Sequence, residues 1–269
     1  MSGLLLLALL TLQGAQAPDL ERRLLDVEAI ANAAWDQGRY DQAVQALTVF
    51  ADAHPDYARA QLSLGYRHSD RAARQGTSAP APAQREGYLR LAAAAFERAL
   101  AASQPMEIMY AVEHLGAVYG PEALAEPALA LAAAREGIRR APSHPRTHGL
   151  VLRALLDAGQ EAELAAAFDA ARAAIPESEH VTLANEQLAL VGTAAKSRSA
   201  NTRLVEEADA HIDAALARRA DDLFVLATKE WALRERAGRV EQDTGRAAAL
   251  LEEADRVAAR VKALCSRTP

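Results

Sequence analysis

Cysteine is nearly missing from this chain: Cys265, close to the C-terminus, is the only one. No intrachain disulfide and no cysteine-based metal cluster can form. Cys265 reads as an inert small residue on a last helix. Aromatic side chains make up only 4% of the 269 residues. Trp35, Tyr40, Tyr57, Tyr66, Tyr88, Tyr110, Tyr119 and Trp231 are scattered along the sequence. Stacking platforms for bases need such residues clustered, so none is expected. Runs of β-branched and aromatic residues, the mark of strands, are close to absent. An excess of positive charge is missing too. The formal net charge is −6, and a mildly acidic chain exerts no pull on phosphate backbones. General nucleic-acid binding is therefore not expected. The longest apolar run, residues 4–12, is too short to span a bilayer.

That run has another reading. It is LLLLALLTL, followed by Gln13 and Gly14, then Ala15-Gln16-Ala17 and Pro18. A short apolar core ahead of a small-x-small triplet is the pattern of a secretory signal peptide, cut here after Ala17. It predicts a periplasmic or secreted protein with no membrane span after cleavage. No Lys or Arg precedes the run. The same residues also fit a buried N-terminal helix, in which case the chain is cytoplasmic. No cysteine follows the apolar core, so a lipid anchor is not expected.

What the chain does have is helix formers. Alanine alone is about a quarter of it, with leucine, glutamate and arginine also frequent. An all-α protein is expected. Residues 38–57 carry a patterned series: Gly38-Arg39-Tyr40-Asp41-Gln42-Ala43, then Leu47, Phe50 and Pro55. Gly ends one helix at positive φ, Ala lets two helices approach, and Pro stops the second helix. This series resembles the tetratricopeptide repeat, a helix–turn–helix unit of about 34 residues.

In that register the first unit runs from about Leu24 to Tyr57. The second starts near Ala58, with Leu64-Gly65 in its first helix and Ala92, Phe96 and Ala99 in its second. Between them, Gln75 to Gln84 is rich in Pro, Ala and Ser and reads as a flexible insertion. The third unit holds Leu115-Gly116 and Tyr119 and ends at Pro142, its turn crowded by Pro121 and Pro127. The fourth runs from about Pro145 to Ser178, with Gly159 at the turn and Leu164, Phe168 and Ala171 in its second helix. Its closing Pro176 lies 34 residues after Pro142. A weaker fifth unit has a lengthened turn at Lys196–Thr202, with Ala208, Ile212 and Ala215 in register. The expected architecture is an α-solenoid of about five repeats over residues 18–220, after a signal peptide at 1–17. Residues 221–269 form a helical pair that caps the array with a polar outer face.

Chemistry is hard to find. No HExxH, GxSxG, P-loop or GxGxxG occurs. His144 and His148 are separated by Pro145, which starts a helix and puts the two rings on different faces. His68-Ser69-Asp70 has acid–base residue types in sequence, but catalytic groups must converge in space. It reads as a solvated helix end. Paired acids such as Glu206-Glu207 and Glu252-Glu253 point about 100° apart on a helix and read as solvated faces. No catalytic residue, no metal and no cofactor is expected.

The resemblance implies a partner-binding face formed by the first helix of each hairpin, holding a protein or peptide segment. Its candidate positions are Asn32 and Trp35 with Glu28, then Arg59 and Tyr66 with Asp70. Tyr110 and Glu113 follow in the third unit, and Arg146 and Arg153 with Asp157 in the fourth. Trp35 suits an interface anchor or, equally, core between units one and two. Some tetratricopeptide domains grip a C-terminal carboxylate with Lys and Asn. Asn32 matches one such position, but Glu28 stands where that clamp has Lys, so this mode is not expected here. The resemblance implies a non-catalytic scaffold or adaptor. The alternative is an accessory or regulatory subunit of an envelope enzyme or secretion complex.

Overall fold

The computed structural model describes residues 17–101 and 104–266. The expected signal segment lies outside the described residues, save Ala17, which opens the first helix. Among the described residues there are twelve α-helices and no strand beyond an isolated bridge between Val191 and Ala195. No described helix is long and apolar enough to cross a membrane. The chain forms two compact units, one ending at Glu126 and the other starting at Pro127. The border therefore falls inside the third expected hairpin, between its two helices.

The first unit contains α1 (Ala17–Asp36), α2 (Tyr40–Ala53), α3 (Ala58–Ala72), α4 (Pro82–Leu100) and α5 (Pro105–Tyr119). Each packs on the next, and α3 also packs on α5. A core runs through Leu24, Ala31 and Ala34 of α1, Ala43, Leu47 and Phe50 of α2, and Leu64 and Ala95 of the next pair. The α1–α2 turn is a Schellman cap at Gly38, whose φ is +73°. Gly38 N–H donates to Trp35 C=O and Arg39 N–H to Ala34 C=O, both at 2.9 Å. Only glycine enters this backbone region without steric cost. Between α3 and α4, Gly65 faces the Phe96 ring with no room for a side chain: a Cβ there would lie 2.5 Å from the ring. Ala92, Ala95, Phe96 and Ala99 of α4 are all buried. The Gln75–Gln84 stretch, expected as a flexible insertion, has a 3₁₀ turn at Gly76–Ser78. Arg71 Nη1 donates to Ser78 C=O at 2.8 Å across it, and α4 begins at Pro82, before the stretch is over.

The second unit contains α6 (Pro127–Arg140), α7 (Pro145–Asp157), α8 (Leu164–Ala174), α9 (His180–Leu190), α10 (Arg198–Arg218), α11 (Leu223–Glu235) and α12 (Thr244–Cys265). Here α7 packs on α9 and α9 on α11, as first helices of successive hairpins do. The α7–α8 turn repeats the cap of the first unit. Gly159 sits at φ +69°, its N–H donating to Leu156 C=O at 3.1 Å and Gln160 N–H to Leu155 C=O at 2.8 Å. Pro142 and Pro176 follow the ends of α6 and α8. Leu164, Phe168 and Ala171 of α8 and Ala208, Ile212 and Ala215 of α10 are buried, in the register the sequence predicts. The turn expected at Lys196–Thr202 lies earlier, around Gly192, and α10 already begins at Arg198. In α12 only Ala254 is buried.

Candidate partner-binding faces

In the first unit the candidate positions lie on α1, α3 and α5. Glu21, Glu28 and Asn32 follow one stripe of α1; Arg59, Ser63 and Arg67 follow one stripe of α3. They meet in order: Arg59 pairs with Glu21, Ser63 Oγ donates to Glu28, and Arg67 donates to Asn32 Oδ1. Tyr57 O–H also donates to Glu21 at 2.7 Å, and burial together with that acceptor pushes the phenol up to about 12. Asn32 and Arg59 are thus exposed but engaged in joining two first helices. Further along, the Tyr66 ring stands edge-on to His114 at 4.5 Å and to Phe96 at 5.6 Å. Burial raises the Tyr66 pKa, and neighbouring Tyr110 and Glu113 raise it further. The structure therefore brings Tyr66, Tyr110 and Glu113 together. Tyr110, at 41% exposure, is the most open aromatic of the group.

Trp35 is half-buried. One side of it packs on the first-unit core and Tyr40 stands edge-on to it at 4.8 Å. Guanidiniums of Arg67 and Arg74 lie over its ring at 5.0 and 4.9 Å. Arg74 also lies over Tyr40 at 4.6 Å. Arg71 lies over Tyr40 at 5.1 Å and over Tyr88 at 5.3 Å. The result is a chain of contacts, Arg67–Trp35–Arg74–Tyr40–Arg71–Tyr88, in which cation and ring alternate. Each such contact contributes on the order of 0.5–1 kcal/mol at an exposed site. Sequence reasoning missed this group. The one local sign was the spacing of Arg67 and Arg71 by four, which puts them on one face near the end of α3, with Arg74 just past its C-cap.

In the second unit Arg146 of α7 pairs with Glu186 of α9 at 2.7 Å, beside Gly149, where a Cβ would lie 2.8 Å from the Glu186 Cβ. Thr228 Oγ1 of α11 reaches Asn185 of α9 at 3.2 Å. Arg146 thus ties first helices together as Arg59 does in the first unit. Arg153 is exposed and lies 3.6 Å from Asp157 on its own helix.

His144 caps α7, its Nδ1 accepting from Arg146 N–H at 3.2 Å, and His148 Nε2 meets Pro142 C=O at 2.7 Å, so each has its own partner. His68 corrects an expectation. It lies on a buried face of α3, not at a solvated end, with burial driving its pKa down to about 4. His211 of α10 is buried too, likewise at about 4, with its ring edge-on to His180 at 4.6 Å. Among the described residues, no three His, Cys, Asp or Glu side chains are grouped to hold a metal.

No protein-family model and no curated protein matches this chain. Among solved structures, it is similar to a thermophilic TPR protein of Thermus thermophilus. The identity is 16%, covering 85% of this chain and 99% of that one, with a TM-score of 0.38. It is also similar to the Cut9–Hcn1 hetero-tetramer of the APC/C, at 13% identity over 94% of this chain and 46% of that chain, with a TM-score of 0.37. With two Schellman-capped turns, proline-closed second helices and first helices packed side by side, the described residues form an all-α array of helix–turn–helix hairpins.

Proposed function

We propose that this chain is a non-catalytic scaffold that holds protein partners on the first helices of its hairpins. The observation that carries the reading is the way those helices are joined. Glu21–Arg59 and Asn32–Arg67 in the first unit, and Arg146–Glu186 in the second, lock neighbouring first helices edge to edge through polar side chains. A helix layer of fixed geometry loses little freedom when it meets a ligand, which favours binding. On the first unit's layer, Tyr110 offers the large, rigid contact area that interface anchors use, with Tyr66 and Glu113 beside it. The second-unit layer offers Arg153. The mixture of arginines and acids suits a polar segment of mixed charge.

The apolar run ahead of Ala15-Gln16-Ala17 supports export, so the scaffold is proposed to work in the periplasm or outside the cell. Fractionation and intact-mass measurement of the full-length product test that part. A mature chain starting at Pro18 in the periplasmic fraction is expected, and an uncleaved chain in the cytoplasm contradicts it. Binding is tested by affinity purification after in-cell cross-linking, comparing the native chain with Tyr110→Ala. A defined partner recovered with the native chain and reduced at least tenfold with the variant is expected. Equal recovery moves the contact away from this face.

A further inference from the structure

The arginine–aromatic group on the first unit goes beyond what packing needs. Three guanidiniums crowd along one end of α3, two of them over the same Tyr40 ring. Repulsion between like charges opposes that arrangement. The carboxylates present do not offset it. Arg67 has Asp70 at 3.5 Å, but Asp70 is itself largely exposed. Among the described residues neither Arg71 nor Arg74 forms an ion pair, although Asp36 and Asp41 flank Trp35 and Tyr40 in sequence. In a chain of net charge −6, this is a local concentration of unneutralised positive charge.

Stacking also orients it. A guanidinium laid on a ring gives up its faces and keeps its N–H donors in the plane, directed past the ring edge. Arg71 spends one donor on Ser78 C=O, which fixes its position further, while Arg74 makes no hydrogen bond among the described residues. Arg71 Nε is buried, so a ligand meets the remaining Nη donors of Arg71 and the fork of Arg74, and such forks match carboxylates two oxygens at a time.

We propose that Arg71 and Arg74, with Arg67 beside them, form a docking surface for an acidic segment of a protein partner, a short run of Asp and Glu side chains. The proposal rests on the scaffold reading and names the chemistry of one partner segment. It also places that contact on the hairpin ends, apart from Tyr110. The segment's carboxylates supply the charge the stack lacks, and the ring edges of Trp35 and Tyr88 flank its backbone.

The test uses the full chain and a fluorescein-labelled octapeptide of Glu and Asp with an amidated C-terminus, read by fluorescence anisotropy. The same peptide with Gln and Asn, and inorganic phosphate as a competitor, are the comparison arms. The acidic peptide is expected to bind and the amide peptide not to. Affinity should fall at least tenfold in Arg71→Gln/Arg74→Gln, and also when salt is raised from about 50 to about 300 mM. Arg71→Lys/Arg74→Lys keeps the charge and loses the planar fork, so it should bind several-fold more weakly than the native chain. Circular dichroism checks that each variant is folded, and the Lys pair decides the matter if the Gln pair is not. Equal binding by the native chain and the Gln pair, equal binding by the Lys pair, no binding of the acidic peptide, or displacement by phosphate at peptide-like concentrations would each overturn the proposal. If the peptide fails while Tyr110-dependent partner recovery persists, the stack is rejected and the scaffold reading stands. If peptide binding holds and that recovery is absent, the acidic-segment site stands and the Tyr110 contact is rejected.

Discussion

Gly65 shows how one missing side chain sets a helix–helix distance. Its α-carbon stands so close to Phe96 that a methyl group would overlap the ring, and Phe96 is itself fully buried. Gly65→Ala gains up to about 1 kcal/mol of helix propensity, but overpacking a tight core costs about 1–3 kcal/mol. The expected net effect is a loss of up to about 2 kcal/mol, read as a lower urea midpoint. Gly87 of α4 is the control, since nothing lies within 4 Å of a Cβ there. Gly87→Ala should stabilise by about 0.5–1 kcal/mol. A Gly65→Ala chain as stable as Gly87→Ala would show that the close approach is not needed. Histidines act at the same scale. His68 and His211 fall to about 4 from 6.5 because burial disfavours the charged ring. The unfolded chain takes up protons below about pH 6.5 while the folded chain does not. Stability should therefore hold above pH 6.5 and decline as pH falls from there towards 4, by a few kcal/mol in all. Thermal midpoints measured across pH 4–8 check this, and His68→Gln/His211→Gln should make the decline shallower. An unchanged slope would place the effect in other groups.

At the scale of the element, helix ends and helix docking differ in how firmly they are held. Asp222 caps α11, its Oδ1 accepting from Phe224 N–H at 3.0 Å and Val225 N–H at 3.2 Å. Asp222→Ala should cost about 0.5–2 kcal/mol, seen as a drop in the thermal midpoint. By contrast, α12 buries only Ala254, while α10 buries eight residues along its length. Hydrogen exchange should therefore run faster in α12 than in α10, since few buried contacts hold α12 down. Equal protection in both would contradict this. Elements were also what the sequence disclosed best. Gly38, Gly159, Pro142 and Pro176 act within their own turn, so their meaning could be read without the fold. Lys196–Thr202 was placed too late because the turning residue is Gly192, held by Asn201 Oδ1 from nine residues on. The Gln75–Gln84 stretch looked loose by composition, yet Pro82 suits the first turn of a helix as well as it suits a loop.

For the molecule as a whole, two compact cores mean that each unit should fold by itself. A chain ending at Glu126 and one beginning at Pro127 are both expected to be helical and to melt cooperatively by circular dichroism. A fragment without a cooperative transition would mean its core is incomplete. The candidate face was only partly legible. Tyr66, Tyr110 and Glu113 do come together, because repeat register puts equivalent positions of successive first helices side by side. Asn32, Arg59 and Arg146 turned out to be joined to the next first helix, which depends on which neighbour each one meets. The arginine–aromatic stack was hidden because it draws on α1, α2, α3 and α4 at once, and the spacing of Arg67 and Arg71 alone does not say which rings they meet. His68 was misread for the same reason: polar neighbours in sequence say nothing about the helix packed over the ring.

The central claim, that first helices present the partner-binding surface, is tested most directly by site-specific photo-cross-linking in cells. A photoreactive residue placed at Tyr110 on α5 is compared with one at Leu91, an exposed position of second helix α4. The account predicts a discrete cross-linked protein partner from Tyr110 and none from Leu91. The same adduct from Leu91 alone, or from both positions at equal yield, would contradict it.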